Sequence, residues 1–197
     1  MIKYIVFYVA LIFSFNNALS TTNQSKFIKQ AETYLNALNN MSAIFVQQNN
    51  QSEQSGYFML SNSHNIRWEY KKPRNIVITF CHNKIAYHDK DLGNQEVYSL
   101  NNPFIEFIAT RPINLNQHKN FFIKELKQKP TSFELTISNV KKSVGSFILV
   151  FNKKPVELKK LVVFDDFGAP IEITFNNIII YPKNLKTLLF HCVTNNE

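Results

Sequence analysis

From residue 56 to near the C-terminus, apolar side chains recur at every second position in short runs set about 8–12 residues apart. Asn65–Tyr70 is the clearest run: Ile66, Trp68 and Tyr70 fall on one face, Arg67 and Glu69 on the other. Gly56–Ser61 precedes it, after a polar loop. Asn75–Phe80 follows, with Ile76, Ile78 and Phe80 in phase, and then Ile85 and Tyr87. Further runs are Phe121–Leu126, Phe133–Ser138, Ser146–Phe151, Leu158–Phe164, Ile171–Phe175, Ile178–Tyr181 and Thr187–Val193. The connections are short and carry Pro, Asn, Lys or Gly. Such a series predicts an antiparallel meander in a barrel or sandwich. The absence of βαβ alternation argues against a nucleotide-binding α/β fold.

Two segments break the period. Phe27, Ile28, Ala31, Leu35 and Leu38 form one stripe of an amphipathic helix over 26–40, ended by Asn39-Asn40. A second, short helix is expected over Pro103–Ala109. The 18 Phe and 8 Tyr supply bulky rings for sheet faces, and 197 residues suffice for one sizeable core.

The first twenty residues have the organisation of a secretion signal. Lys3 gives a positive start, Tyr4 to Phe15 is apolar but for one Ser, and Ala18-Leu19-Ser20 is a small-x-small cleavage site. The apolar run is shorter than the roughly 20 residues of a membrane helix. The expectation is a signal peptide over 1–20, a single domain over 21–197, and an exported, unanchored product.

The chemistry is defined by what is missing. There is no phosphate-binding loop, no nucleophile elbow and no metal-ligand spacing among the five His and two Cys. Asp89 and Asp91 around Lys90, beside His88, are a polar hairpin turn ending at Gly93 rather than acid–base machinery. Asp165-Asp166-Phe167-Gly168 is likewise a turn. The net charge of +8 comes almost wholly from Lys, a solvated point charge, so a basic surface is expected rather than a nucleic-acid face. The Lys71-Lys72, Lys141-Lys142, Lys153-Lys154 and Lys159-Lys160 pairs are expected at solvated strand ends or edges. Cys81 and Cys192 are expected as free, buried thiols, a bridge between them being the alternative.

Several of these segments, in order, resemble the outer-membrane lipoprotein carrier (LolA) family. Ser42–Gln47 resembles its opening "S-x-F-x-Q" strand, and Ser55–Leu60 its next, Gly-initiated strand. Arg67-Trp68-Glu69-Tyr70 with Pro73 resembles "R-W-x-Y-x-x-P", the most specific of the matches. Tyr87–Leu92 resembles "Y-x-D-x-D-L", Asn102-Pro103 the start of a helix, and Leu161–Asn177 the "L-x-x-x-D-x-x-G-x-x-x-x-I-x-F-x-N" region. The likeness spans about residues 27–193. It departs where the family has Lys-Arg-Pro, whose Arg is implicated in holding a lid closed. Here Ser61-Asn62-Ser63 stands in that place.

The resemblance implies a mainly β chain: an incomplete antiparallel barrel, or half-barrel, with an N-terminal helix and a short helical lid over a hydrophobic cavity. It implies a periplasmic carrier, monomeric, without cofactor, metal, enzymatic step or nucleic acid. Its partners would be lipoproteins, held by their acyl chains, an ATP-driven transporter that releases them from the inner membrane, and an outer-membrane acceptor. The expected cavity wall is Phe58, Leu60, Ile66, Trp68, Tyr70, Ile76, Ile78, Ile85 and Tyr87. The expected lid is Phe104, Phe107 and Ile108. A hydrophobic-ligand binder or envelope-stress sensor on the same scaffold is the second reading. A basic periplasmic enzyme or nucleic-acid binder is the third.

Overall fold

In the computed structural model, which describes residues 24–62, 65–81, 84–99, 103–140, 145–164, 167–183 and 190, the alternating runs become one open antiparallel sheet. The helix α1 covers 24–37. The strands are β1 (Met41–Gln48), β2 (Glu53–Ser61), β3 (Asn65–Tyr70), β4 (Ile76–Cys81), β5 (Lys84–Asp89) and β6 (Asn94–Ser99). After helix α2 (Pro103–Ala109) come β7 (Phe121–Gln128), β8 (Ser132–Asn139), β9 (Phe147–Lys153), β10 (Val156–Phe164) and β11 (Pro170–Ile180). The order across the sheet is β6-β5-β4-β3-β2-β1-β11-β10-β9-β8-β7, eleven strands among the described residues, not closed into a barrel. The half-barrel architecture is therefore as expected. The signal segment, the run Thr187–Val193 apart from Phe190, and Cys192 lie outside the described residues.

Topology dictates where α2 must lie. Two meanders, β1–β6 and β7–β11, are joined side by side through β1 and β11. That pairing puts β6 and β7 at opposite edges, so the chain between them has to cross a face of the sheet. Its apolar residues Phe104, Phe107, Ile108, Ile113 and Leu115 are all buried, which selects the apolar, inner face. Helix α1 covers the same face through Ala31, Leu35 and Leu38.

Parity holds along the strands. Trp68 sits between Phe58 on β2 and Ile78 on β4, and Ile78 in turn faces Tyr87 on β5. Leu60, Ile66, Phe80 and Ile85 form the next row. On the other half, Phe133, Leu135, Ile137, Phe147, Leu149 and Phe151 fill a core with almost no exposure. Gly56 belongs to the inner face, and a Cβ there would lie 2.8 Å from Phe45 Cε1 and 1.9 Å from the Glu69 carbonyl oxygen, so only Gly lets Phe45 and Tyr70 pack edge to face at 5.1 Å.

Four expectations are corrected. The helix ends at 37, and Asn40 instead ties the sheet to its end: its Oδ1 accepts from Ser61 Oγ and Asn62 N, while its carbonyl accepts from Tyr181 N. Ile171–Phe175 and Ile178–Tyr181 are not two strands but one, β11, interrupted by a bulge. Asn177 takes φ 52° there, a left-handed conformation that Asn tolerates better than most residues. Lys159-Lys160 is not a strand end: the pair lies within β10 beside a register shift, and Lys160 Nζ bonds Glu172 at 2.5 Å. Cys81 is not a free thiol; it is disulfide-bonded, and Cys192 is the one other cysteine of the sequence.

Candidate functional site

Where α2 leaves the inner face incompletely filled, a cavity of about 270 Å³ opens. Five of the expected wall residues line it: Ile66, Trp68, Tyr70, Ile78 and Ile85. Phe104 lies over it, together with Ile105, which the sequence pattern does not single out. The far wall is contributed by β10 and β11 through Leu161, Val163 and Ile173, with Phe80 and Gln47 completing the lining.

The other expected residues sit elsewhere. Phe58, Leu60 and Ile76 are on the correct face but buried in the core beneath, where rings and aliphatics close over them. Phe58 packs against Trp68 and Phe175. Tyr87 is half-buried against the core without lining the cavity. Phe107 and Ile108 are anchors of α2: Phe107 is fully buried against Phe121 and Phe147 and beside the His118 ring. The same burial pushes the His118 pKa down, against the opposing charge of Glu106.

A second set of contacts, not foreseen, binds α1 to the segment following α2. Arg111 donates from Nη1 to the Leu35 carbonyl at 2.5 Å and from Nη2 to the Leu38 carbonyl at 3.3 Å. These carbonyls lie at the end of the helix, where intrahelical donors run out. Asn36 both donates to the Ile113 carbonyl and accepts from Ile113 N, each at 2.8 Å, and Glu32 accepts from Leu115 N. Burial alone lowers the Arg111 pKa to about 10.

Polar groups in the cavity are few. Tyr70 donates its hydroxyl to Gln47 Oε1 at 2.8 Å, and burial raises its pKa. On the outer side of β3, Glu69 accepts from Arg67 Nη2 at 2.8 Å and from Lys90 Nζ at 2.5 Å. Burial by itself would raise the Glu69 pKa; the bonds and charges of Lys90 and Arg67 outweigh it and hold the carboxyl below its usual value. Charge is thus kept on one face of β3 and excluded from the other. A larger depression on the outer face, about 460 Å³, is rimmed by Lys129, Lys159, Lys160, Glu134 and Glu172, and is a poor host for an apolar chain. Among the described residues, no three His, Cys, Asp or Glu side chains gather where they could hold a metal ion, and no helix is long and apolar enough to cross a membrane.

An open antiparallel half-barrel whose apolar inner face encloses a cavity beneath a crossing helix is the architecture of a hydrophobic-ligand binding protein. The chain belongs to the outer membrane lipoprotein carrier protein LolA family, whose model matches residues 36–190. The family places it among periplasmic hydrophobic-ligand binders with a carrier fold. Solved structures bear a likeness in fold alone. An uncharacterized conserved protein from Thermus thermophilus is 9% identical, with TM-score 0.52 over 88% of this chain and 96% of that one. A putative outer membrane lipoprotein-sorting protein domain from Vibrio parahaemolyticus is 11% identical, with TM-score 0.47 over 83% and 94%. MucB of Pseudomonas aeruginosa, in its complex with MucA, is 10% identical, with TM-score 0.45 over 82% of this chain and 59% of that one. No curated protein matches the sequence.

Proposed function

We propose that this protein is a periplasmic carrier that takes lipoprotein acyl chains into the inner-face cavity and shuttles lipoproteins from the inner to the outer membrane. The observation that carries the reading is the cavity itself: a pocket walled by Ile66, Trp68, Ile78, Ile85 and Val163, covered by Phe104 and Ile105, in a chain of the lipoprotein carrier family. An acyl chain in water costs about 0.8 kcal/mol per methylene, so a lipoprotein stays in its membrane unless an apolar surface replaces the lipid. The sheet face supplies that surface without a cofactor or a covalent step.

Size sets the mechanism. The cavity as it stands, about 270 Å³, falls just below the roughly 300–1,000 Å³ of ordinary small-molecule pockets and is too small for three acyl chains. Uptake of a whole lipid anchor requires the Phe104–Ile105 end of α2 to lift, while Phe107 and Ile108 keep the helix seated. An ATP-driven transporter of the inner membrane would load the carrier, and an outer-membrane acceptor would unload it. Export would come from cleavage after Ser20, giving a mature chain from about Thr21, which N-terminal sequencing of the periplasmic protein checks.

The test is release of lipoprotein. Purified protein is added to spheroplasts making a triacylated lipoprotein, and the supernatant is analysed. A soluble one-to-one complex is the expected result. Lipoprotein that stays in the membrane, while the protein remains folded and monomeric, overturns the reading.

A further inference from the structure

One end of the apolar cavity is polar. Gln47, near the end of β1, lines the cavity and is only half-buried. Its Oε1 accepts the Tyr70 hydroxyl at 2.8 Å, which fixes the amide and turns its two Nε2–H groups away from Tyr70. Those two donors bond no described residue, and their nitrogen is not sealed from water as the Trp68 indole nitrogen is.

A cation stands beside this donor. The β3–β4 turn, residues 71–74, is exposed throughout. Within it Lys71 lies over Tyr57 on the outer face, whereas the Arg74 guanidinium lies 5.3 Å from the centre of the Tyr70 ring, which belongs to the cavity wall. The Arg74 charge is felt at the Tyr70 hydroxyl, where it opposes the rise in pKa that burial causes. Among the described residues no carboxylate stands within ion-pair distance of Arg74. Glu69, the nearest acid in sequence, is held by Arg67 and Lys90, and Asp91 by Asn75. A neutral lipid head leaves this charge without a counterpart. A chain that ends in an anion supplies one and takes the amide donors in charge-assisted bonds.

We propose that Gln47 and Arg74 form a head-group site for single-chain anionic lipids: the Gln47 amide donates to the carboxylate or phosphate at the head, Arg74 supplies the opposing charge, and the chain lies along Tyr70, Trp68 and Ile66. The inference rests on the cavity taking an acyl chain and adds a ligand class that the carrier reading does not contain, free fatty acids and acidic lysophospholipids. The shared chemistry is an anion at the end of one apolar chain. A cavity of about 270 Å³, too small for three chains, suits such a ligand.

The experiment compares three ligands of equal chain length on three proteins. Dodecanoate, dodecyl phosphate and methyl dodecanoate displace the uncharged probe N-phenyl-1-naphthylamine from wild type, Arg74→Gln and Gln47→Glu, at about pH 8, where both anionic heads are ionised. Gln47→Glu keeps the acceptor for Tyr70 and removes the donors. The preference for the anionic ligands over the methyl ester should fall about fivefold in Arg74→Gln, as for one exposed charge pair, and at least about tenfold in Gln47→Glu. A fall confined to dodecanoate names a carboxylate head, one confined to dodecyl phosphate a phosphate head, and either upholds the site. Preferences equal in the three proteins, with methyl dodecanoate still displacing the probe, overturn the inference and leave the carrier reading intact. Failure of all three ligands to displace the probe from wild type overturns both. Arg74 is exposed, so Arg74→Gln reads out the inference even where Gln47→Glu does not fold, and an unchanged preference in that variant is enough to overturn it.

Discussion

Replacing Ile78 by Glu separates a cavity wall from a core more sharply than truncation does. Ile78 is half-buried, lies between Trp68 and Tyr87 across the strands, and lines the cavity. Leu135, its control, is fully buried in the other half of the sheet. A carboxylate at 135 has no water to reach, and Leu135→Glu should cost about 4 kcal/mol or more. At 78 the empty cavity admits water, so Ile78→Glu loses only part of one isoleucine's burial, about 1 kcal/mol, and a few degrees of Tm. Acyl binding is where it fails. With the chain in place the carboxyl must be neutral, so binding takes up a proton that free protein, with a pKa near about 4.3, does not hold. Each pH unit above that value then costs about 1.4 kcal/mol, a tenfold loss of affinity, until the ionised form becomes the cheaper one. Probe displacement by methyl dodecanoate at pH 5 and 7 should show the variant about fivefold weaker than wild type at the lower value and up to about a hundredfold weaker again at the upper, with wild type unchanged. A variant that melts with Leu135→Glu, or one that binds with wild-type affinity at both pH values, refutes the reasoning.

Arg111→Met removes two bonds to the end of α1 while relieving the burial of a cation; the balance should be about 2 kcal/mol, and amide exchange should accelerate first over α1 and residues 103–115. Unchanged protection there would show that Arg111 does not hold these elements together. If Cys81 is bridged to the one other cysteine of the sequence, breaking the disulfide by Cys81→Ser should destabilise by about 5 kcal/mol, as for a closed loop of roughly a hundred residues, and the non-reduced parent should weigh two hydrogens less than its reduced form. Because the folded Glu69 pKa lies below its usual value, its contribution is present above the ordinary carboxylate pKa and disappears as pH falls through the lowered one. Glu69→Gln should therefore melt below the parent at pH 7 and converge with it in acid.

The alternation in Asn65–Tyr70 is enough to place β3 with both its faces, and Pro103–Ala109 is legible as a helix to the residue. Strand β6 is not. All six of its residues are exposed, because an edge strand with neither face covered has no apolar partner to alternate against. The cavity is half legible. Period two puts Phe58, Ile66, Trp68 and Ile78 on one face, but whether a residue on that face meets α2 or a gap depends on where the crossing chain lands. Leu161, Val163 and Ile173 reach the cavity only because β1 pairs with β11, a contact far apart in sequence. Arg111 carries no local signal: a lone Arg before Pro becomes informative only when α1 ends beside it.

Acyl chains of a lipoprotein held against the inner face can be trapped there by photo-crosslinking. p-Benzoylphenylalanine is placed at Ile78, on the cavity wall, and separately at Tyr57, exposed on the outer face of β2. After irradiation of the loaded protein, mass spectrometry should find an adduct to an acyl chain of a triacylated lipoprotein from position 78 and none from position 57. Adducts of equal yield from both positions, or none from 78 while lipoprotein co-purifies, would contradict the account.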